Sequence, residues 1–156
     1  MELIHDFFTV KEIDMIQPDP DNSSTKIKNK MFLKVSRIFG VFNSNNIELF
    51  LDVNTELYPI CSEDKLDIMI SKVPVASKNE YINQNCDWIS YFGKDLLDLY
   101  EYVVYGTIFH SGKNNNSCFV YASFGGLLMK LFGYMKADII EEFSIDSKIL
   151  LLIRKI

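Results

Sequence analysis

The sequence predicts an all-β fold, an antiparallel barrel or sandwich of about eight strands. Three observations predict it. Short apolar runs recur with a period near two, turn residues such as Gly, Asn and Pro separate them, and little of the chain is left for helices. The 156 residues, 48% hydrophobic and 24% charged, fit one globular domain spanning residues 1–156.

The first half of the chain predicts four strands. Residues 7–13 form the first apolar run and residues 31–42 the second, and an Asn-rich turn at residues 43–46 follows. In the third run, apolar and mostly polar positions alternate up to Pro59, so one face should be buried. The fourth run, residues 65–73, should bury Leu66, Ile68 and Ile70 together. The apolar positions of the third run are Ile47, Leu49, Leu51 and Val53.

The second half predicts strands at residues 100–110 and 117–124, joined by an Asn-rich hairpin loop. The pair Gly125-Gly126 should form a tight turn in which side chains would clash, and an apolar run follows it. The last strand, residues 148–156, is apolar on both faces. A small barrel buries only the inward face of each strand, so Leu150 and Leu152 on the outward face need a cover. That cover is either the chain's own long loop or another protein. A cover is likewise needed for Leu127, Leu128 and Met129.

Two long polar segments interrupt this pattern. Residues 17–30 contain two prolines and are predicted to be mobile, and residues 74–98 form a long insertion. We expect the aromatic residues of the insertion to pack on the barrel or on a partner, and residues 94–100 to form one or two helical turns. The aromatic residues are Trp88, Tyr91 and Phe92.

The charge balance argues against a phosphate-binding role. Sixteen Lys and Arg face 21 Asp and Glu, a net charge of −5, and only two of the bases are Arg. The best candidate for a local basic patch is better interpreted as a solvated loop; it consists of Lys26, Lys28 and Lys30. No apolar run approaches the ~20 residues of a membrane span, and the first residues lack the features of a signal peptide. We therefore expect no membrane partner and no secretion.

No arrangement of residues predicts a metal, cofactor or catalytic site. His5 and His110 are far apart, and no Gly-x-Ser-x-Gly elbow is present. The pair Asp52 and Asn54 could hold a cation, but capping of neighbouring backbone at a strand end is the better interpretation. Exposed turns are expected for Asp64/Asp67 and Glu141/Glu142. The odd number of cysteines predicts free thiols at Cys61, Cys86 and Cys118.

The 21 aromatic residues allow two interpretations. They could fill the barrel, which the negative charge favours, or stack the bases of a single-stranded nucleic acid on an outer face. Apolar surface in excess of what a barrel can bury favours a fixed component of an assembly over a catalyst.

Six blocks, in order, resemble the family of the eighth, small barrel subunit common to eukaryotic nuclear RNA polymerases I, II and III. Phe124 replaces an expected Tyr, and residues 74–98 and 134–140 match the family poorly. The blocks are FFTVKEID (7–14), KVSRI (34–38), LFLDVNTELYP (49–59), YEYVVYGTIF (100–109), FGGLLMKLFG (124–133) and IDSKILLLIRK (145–155).

The resemblance implies a barrel like that of oligonucleotide-binding proteins, with a non-catalytic role in a nuclear polymerase and no cofactor. It also implies docking on the largest polymerase subunit and contact with neighbouring subunits. We expect the partner contact at or near Gly125, Gly126, Leu127, Leu128 and Met129, with Leu150 and Leu152 as further candidates. Binding of single-stranded nucleic acid is the alternative function.

Overall fold

The computed structural model describes residues 2–16, 27–28, 34–73 and 94–156. Most of the two predicted polar loops lies outside these ranges, and so do Lys26, Lys30, Cys86, Trp88, Tyr91 and Phe92, together with the side chain of Lys28. Predictions about these residues, including the mobility of the first loop and the packing of the second, stay predictions.

Ten strands and two short helices form within the described ranges. The strands are β1 (Glu2–Ile13), β2 (Met15–Ile16), β3 (Ile27–Lys28), β4 (Val35–Phe42), β5 (Glu48–Asn54), β6 (Lys65–Lys72), β7 (Tyr102–Asn114), β8 (Ser117–Phe124), β9 (Leu127–Gly133) and β10 (Lys148–Lys155). The helices are α1 (Lys94–Asp98), within the predicted helical turns, and α2 (Ala137–Glu142).

Eight of the strands close into a barrel in the order β1-β4-β5-β9-β8-β7-β10-β6, and β6 pairs again with β1. All of the pairings are antiparallel. The predicted all-β barrel of about eight strands is therefore confirmed. The two remaining strands, β2 and β3, pair only with each other.

The barrel interior is filled by the alternating side chains that the sequence predicts. Leu66, Ile68 and Ile70 of β6 are fully buried. Phe8 of β1 lies opposite Phe42 of β4, with ring centroids 5.2 Å apart. Close packing of these side chains supplies most of the hydrophobic stabilisation. The predicted buried face of the third run is confirmed for all four residues, Ile47 just before β5 and Leu49, Leu51 and Val53 within it.

A second, smaller hydrophobic cluster lies outside the barrel, against β6 and β10. Leu150 and Leu152 are fully buried in it, beside Met69 and Val73. Their cover comes from the chain itself, from side chains of α1, of the link that follows it and of the start of β7: Leu96, Leu97, Tyr100, Val103 and Tyr105. Of the two predicted covers, the chain's own segment is the correct one. The expectation that Leu150 and Leu152 face a partner is therefore wrong, because neither side chain reaches the surface.

The turn at Gly125-Gly126 joins β8 to β9, as predicted, but for a different reason. A Cβ atom at either glycine would meet nothing within 4 Å, so the predicted clash is wrong. Both residues instead have positive φ angles, 63° and 98°. Two consecutive positive φ angles define the hairpin turns that match the twist of the strands, and glycine adopts them without strain.

Within the described ranges, no helix has the length and apolar character needed to cross a membrane.

Candidate docking site

The turn between β8 and β9 presents apolar side chains to solvent. Gly125 and Gly126 are exposed, Leu127 is half-buried, and the side chain of Leu128 is 42% exposed. Met129 is only 1% exposed because it points into the core. The predicted contact residues therefore form an accessible surface only from Gly125 to Leu128, and the expectation for the Met129 side chain is wrong.

Asp52 fixes the position of this turn. Its carboxylate accepts hydrogen bonds from Arg37 Nε at 2.7 Å and from Arg37 Nη2 at 3.1 Å. The backbone N–H of Leu128 donates to the same carboxylate at 3.0 Å. The hydrogen bond to Asp52 raises the pKa of the Arg37 guanidinium. Because β4, β5 and β9 meet at this one side chain, Leu128 is held in a defined position.

Asn54, two residues further along β5, caps the end of the strand. Its Oδ1 accepts a hydrogen bond from the backbone N–H of Leu57 at 3.3 Å. Asp52 and Asn54 therefore both bind neighbouring backbone, which confirms the structural interpretation of this pair over the cation site.

Aromatic side chains cover the outside of the barrel next to the turn, on β5, β7, β8 and β9. Phe119 and Tyr121 have ring centroids 6.0 Å apart, and Tyr121 also contacts Phe109 at 6.0 Å. A bulge after Ile108 turns both Phe109 and His110 outward. We call this surface the aromatic face; it consists of Phe50, Phe109, His110, Phe119, Tyr121 and Phe132.

The aromatic face surrounds one cation. The Nζ atom of Lys130 lies 5.7 Å from the ring centroids of Phe50, Tyr121 and Phe132. At this distance the ammonium is attracted to the faces of the rings. A cleft of about 250 Å³ connects this point to the turn; it is lined by Arg37, Phe50, Tyr121, Leu128, Met129 and Lys130. The turn and the aromatic face therefore form one continuous surface.

The aromatic residues divide between the barrel interior and its outer face, and base stacking by the outward rings stays a prediction. Phe8, Phe42 and Phe143 are fully buried, as barrel filling requires. Phe109 and Phe132 are 48% and 38% exposed. The sequence does contain a signal for the outward set. In β5 and β8 the buried residues occupy every second position, and Phe50, Phe119 and Tyr121 occupy the positions between them.

His5 belongs to an ion-pair cluster outside the barrel. Its Nε2 lies 2.9 Å from Asp67 Oδ1, and Asp67 Oδ2 accepts a hydrogen bond from Arg154 Nε at 2.8 Å. The Tyr100 hydroxyl lies 3.3 Å from the same ring nitrogen of His5. Asp67 is 3% exposed, so its predicted place in an exposed turn is wrong. Its neighbour Asp64 does lie in a turn, where it accepts a hydrogen bond from Cys61 N at 2.8 Å.

The remaining candidates show no catalytic arrangement within the described ranges. His110 contacts the ring of Phe119, with centroids 5.1 Å apart. Glu142 pairs with Lys72 at 2.9 Å. Cys61 is exposed and Cys118 is buried, both as free thiols. No group of three or more His, Cys, Asp or Glu side chains in this part of the chain could hold a metal ion.

The fold is that of an all-β barrel protein with an exposed apolar turn and aromatic side chains on its outer face. The sequence profile described as RNA polymerase Rpb8 matches residues 5–155. The chain therefore belongs to the RNA polymerase Rpb8 family, which confirms the predicted family. The function is that of a structural, non-catalytic subunit of a multisubunit RNA polymerase.

Curated relatives match along most of their length. A Caenorhabditis briggsae protein named as a probable subunit RPABC3 of DNA-directed RNA polymerases I, II and III is 32% identical, over 98% of this chain and 95% of its own. The Dictyostelium discoideum subunit of that name is 33% identical over 98% and 96%. The Saccharomyces cerevisiae subunit is 31% identical over 84% of each chain.

Among solved structures, a cytoplasmic molybdate-binding protein, ModG, aligns over 97% of this chain and 89% of its own, with a TM-score of 0.30 and 8% identity. A TM-score and a sequence identity this low indicate neither a shared fold nor a shared ligand.

Proposed function

We propose that this subunit is nuclear, is shared by RNA polymerases I, II and III, and docks on the largest subunit of each. The observation that carries this proposal is the match to relatives named as subunits of all three polymerases, over 98% of the chain. Because those polymerases work in the nucleus, the proposal includes a nuclear location.

The surface proposed for docking is the turn from Gly125 to Leu128. It supports docking because Leu128 is apolar, exposed and held in place through the hydrogen bond of its backbone N–H to Asp52. An anchor that is already ordered loses little conformational entropy when a partner covers it. Apolar anchors at the centre of an interface also carry much of the binding energy.

The test is co-purification of the largest polymerase subunit with a tagged chain that carries Leu128→Asp. A buried, unpaired carboxylate at the interface should reduce the amount of that subunit at least about tenfold. Leu57→Asp is the matched control, because Leu57 is also an exposed leucine, 77% exposed, in the loop after β5. Thermal unfolding of both purified variants checks that they fold. Undiminished co-purification with folded Leu128→Asp would overturn this docking surface.

The alternative, binding of single-stranded nucleic acid, is favoured by one observation, the outward rings of the aromatic face. The charges beside those rings oppose it. Glu48 and Asp52 project from the same side of β5 as Phe50, and Arg37 is already paired with Asp52. Among the described residues beside these rings, Lys130 is the cation left to meet a polyanion, whereas grooves that bind single strands follow the phosphates with many basic side chains.

A titration of the isolated chain with single-stranded oligonucleotides, at low and at moderate salt, tests this alternative. Without a run of cations we expect no salt-sensitive binding. Tight binding that weakens with salt and is lost in Tyr121→Ala would establish nucleic-acid binding on the aromatic face.

A further inference from the structure

We infer that the aromatic face receives an extended, carboxylate-bearing segment of a partner polymerase subunit, with an Asp or Glu side chain seated on Lys130. The inference rests on the proposed function and adds the chemistry of the partner. The same segment would place an apolar side chain in the cleft beside Leu128, because that cleft is lined by both Leu128 and Lys130.

Lys130 differs from the other partly buried lysines of the described ranges. The other two are Lys72, which pairs with Glu142 at 2.9 Å, and Lys148, which donates to Thr107 Oγ1 at 2.7 Å. The Lys130 ammonium instead contacts only aromatic rings among the interactions of the described residues. Rings replace part of its hydration without supplying an acceptor, so one oxygen acceptor above the rings would complete the site.

The surrounding charges select a single carboxylate. Asp52 is occupied by Arg37, and Glu48 lies on the same face of β5, one strand from Lys130. The local charge is therefore close to balanced, which gives a polyanion little net attraction but leaves a place for one acid at the ammonium. Beside apolar rings an ion pair is less screened than in bulk water, so the attraction between the ammonium and the partner's carboxylate would be stronger there.

The register of the barrel favours an extended occupant. Phe39, Phe50, Lys130, Tyr121 and His110 lie directly opposite one another across five neighbouring strands. This row crosses the barrel surface as a strip of rings with a cation near its middle. An extended segment with an acid between apolar residues matches such a strip in shape and in charge.

Zero-length carbodiimide crosslinking tests the inference, because it joins a lysine amine to a carboxylate only in direct contact. The sample is the polymerase purified through the tagged chain, and crosslinked peptides are identified by mass spectrometry. Lys72–Glu142 and Lys34–Glu56, at 2.9 Å and 3.4 Å, are internal controls. We expect a link from Lys130 to an Asp or Glu of another polymerase subunit.

The other outcomes overturn the inference in distinguishable ways. If polymerase co-purifies and the controls react but Lys130 does not, the inference fails and the proposed function stands. A link from Lys130 only to a carboxylate of this same chain, such as Glu48 on the neighbouring strand or one on a second copy, would also overturn the inference. If no polymerase subunit co-purifies, the proposed function itself fails. Loss of the chain from the polymerase on nuclease treatment would indicate nucleic acid on this face.

Variants at Lys130 give an independent measurement, the rate at which the chain is lost from purified polymerase during washing. Lys130→Met keeps the apolar stem and removes the charge, so loss should be at least about tenfold faster. Lys130→Arg keeps the cation above the rings and should behave like the unmodified chain. Lys113→Met, at an exposed lysine near the end of β7, is the matched control. Equal rates for Lys130→Met and Lys113→Met would contradict the inference.

Discussion

Single carboxylates join parts of the barrel that are far apart in the sequence. Asp52 holds Arg37 and the backbone of Leu128. Glu101, just before β7, accepts a hydrogen bond from the Tyr58 hydroxyl at 2.9 Å and from the backbone N–H of Lys155 at 2.6 Å. One side chain thus connects the loop after β5 to the end of β10. Bonds of this kind depend on the charged form of the acid and therefore on pH.

Stability should fall in acid partly through Glu101. The backbone hydrogen bond from Lys155, and then that from Tyr58, hold the pKa of Glu101 below its usual value. The unfolded chain binds the proton more tightly, so this contribution is present at neutral pH and is lost as the pH falls through the pKa of the folded state. In urea unfolding, the difference in free energy of unfolding between the unmodified chain and Glu101→Gln should shrink from about pH 6 to about pH 3.

A difference that stays constant over this range would contradict the assigned hydrogen bonds. Glu56→Gln is the control, because Glu56 pairs with Lys34 at 3.4 Å between two largely exposed side chains. Such a pair contributes little to stability at any pH.

The residue-scale predictions succeeded where a side chain acts on its own strand. The capping by Asn54 and the buried face of β5 follow from local spacing and alternation. Asp67 was misplaced because alternation puts it on the outer side of β6, where a sequence predicts solvent. In the structure Arg154, His5 and Tyr100 gather there from distant parts of the chain. Contacts across such sequence separations leave no local signal.

At the scale of elements, α1 and the residues after it act as an outer layer on β6 and β10. The sequence predicted both the helical turns and the need to cover Leu150 and Leu152, but not which surface supplies the cover. That choice depends on the position of β10 between β6 and β7, which brings residues 94–105 over the outward leucines. The covered leucines should therefore contribute to folding rather than to partner binding.

Leu152→Ala should lower the free energy of unfolding by about 2–5 kcal/mol, because it opens a cavity in the outer cluster. Leu99→Ala is the matched control from the covering segment itself, where Leu99 is 59% exposed. It should change the free energy of unfolding by less than about 0.5 kcal/mol. Urea unfolding of the isolated variants measures both. Equal effects would show that the outer layer does not cover Leu152 in solution.

At the scale of the whole molecule, the closed barrel leaves none of its eight strands without two neighbours. The sequence predicted the approximate number of strands and their antiparallel type, because alternation and turn residues are local properties. The sequence did not predict the order of the strands in the barrel, in which β9 lies between β5 and β8, and β10 lies between β7 and β6. Alternation says which side of a strand is buried but not which strand lies beside it.

Removal of residues 148–156 should abolish cooperative unfolding, because β10 pairs with both β6 and β7 and its loss opens the barrel. Circular dichroism during thermal unfolding should show no sharp transition for this truncated chain. Removal of Ile156 alone, whose side chain is 71% exposed, should leave a single sharp transition. A cooperative transition in the longer truncation would mean that seven strands are sufficient for the fold.

The pairing of β6 with both β1 and β10 also affects how the protein is made. During translation, β1 and β6 leave the ribosome long before β10, so β6 must wait with one edge unpaired and Leu66, Ile68 and Ile70 incompletely covered. Nascent chains with unpaired edges and uncovered apolar surface associate readily with one another. Nascent chains of this protein should therefore depend on chaperones until β10 has been synthesised, and slow translation of the segment between β6 and β10 should lower the yield of folded subunit.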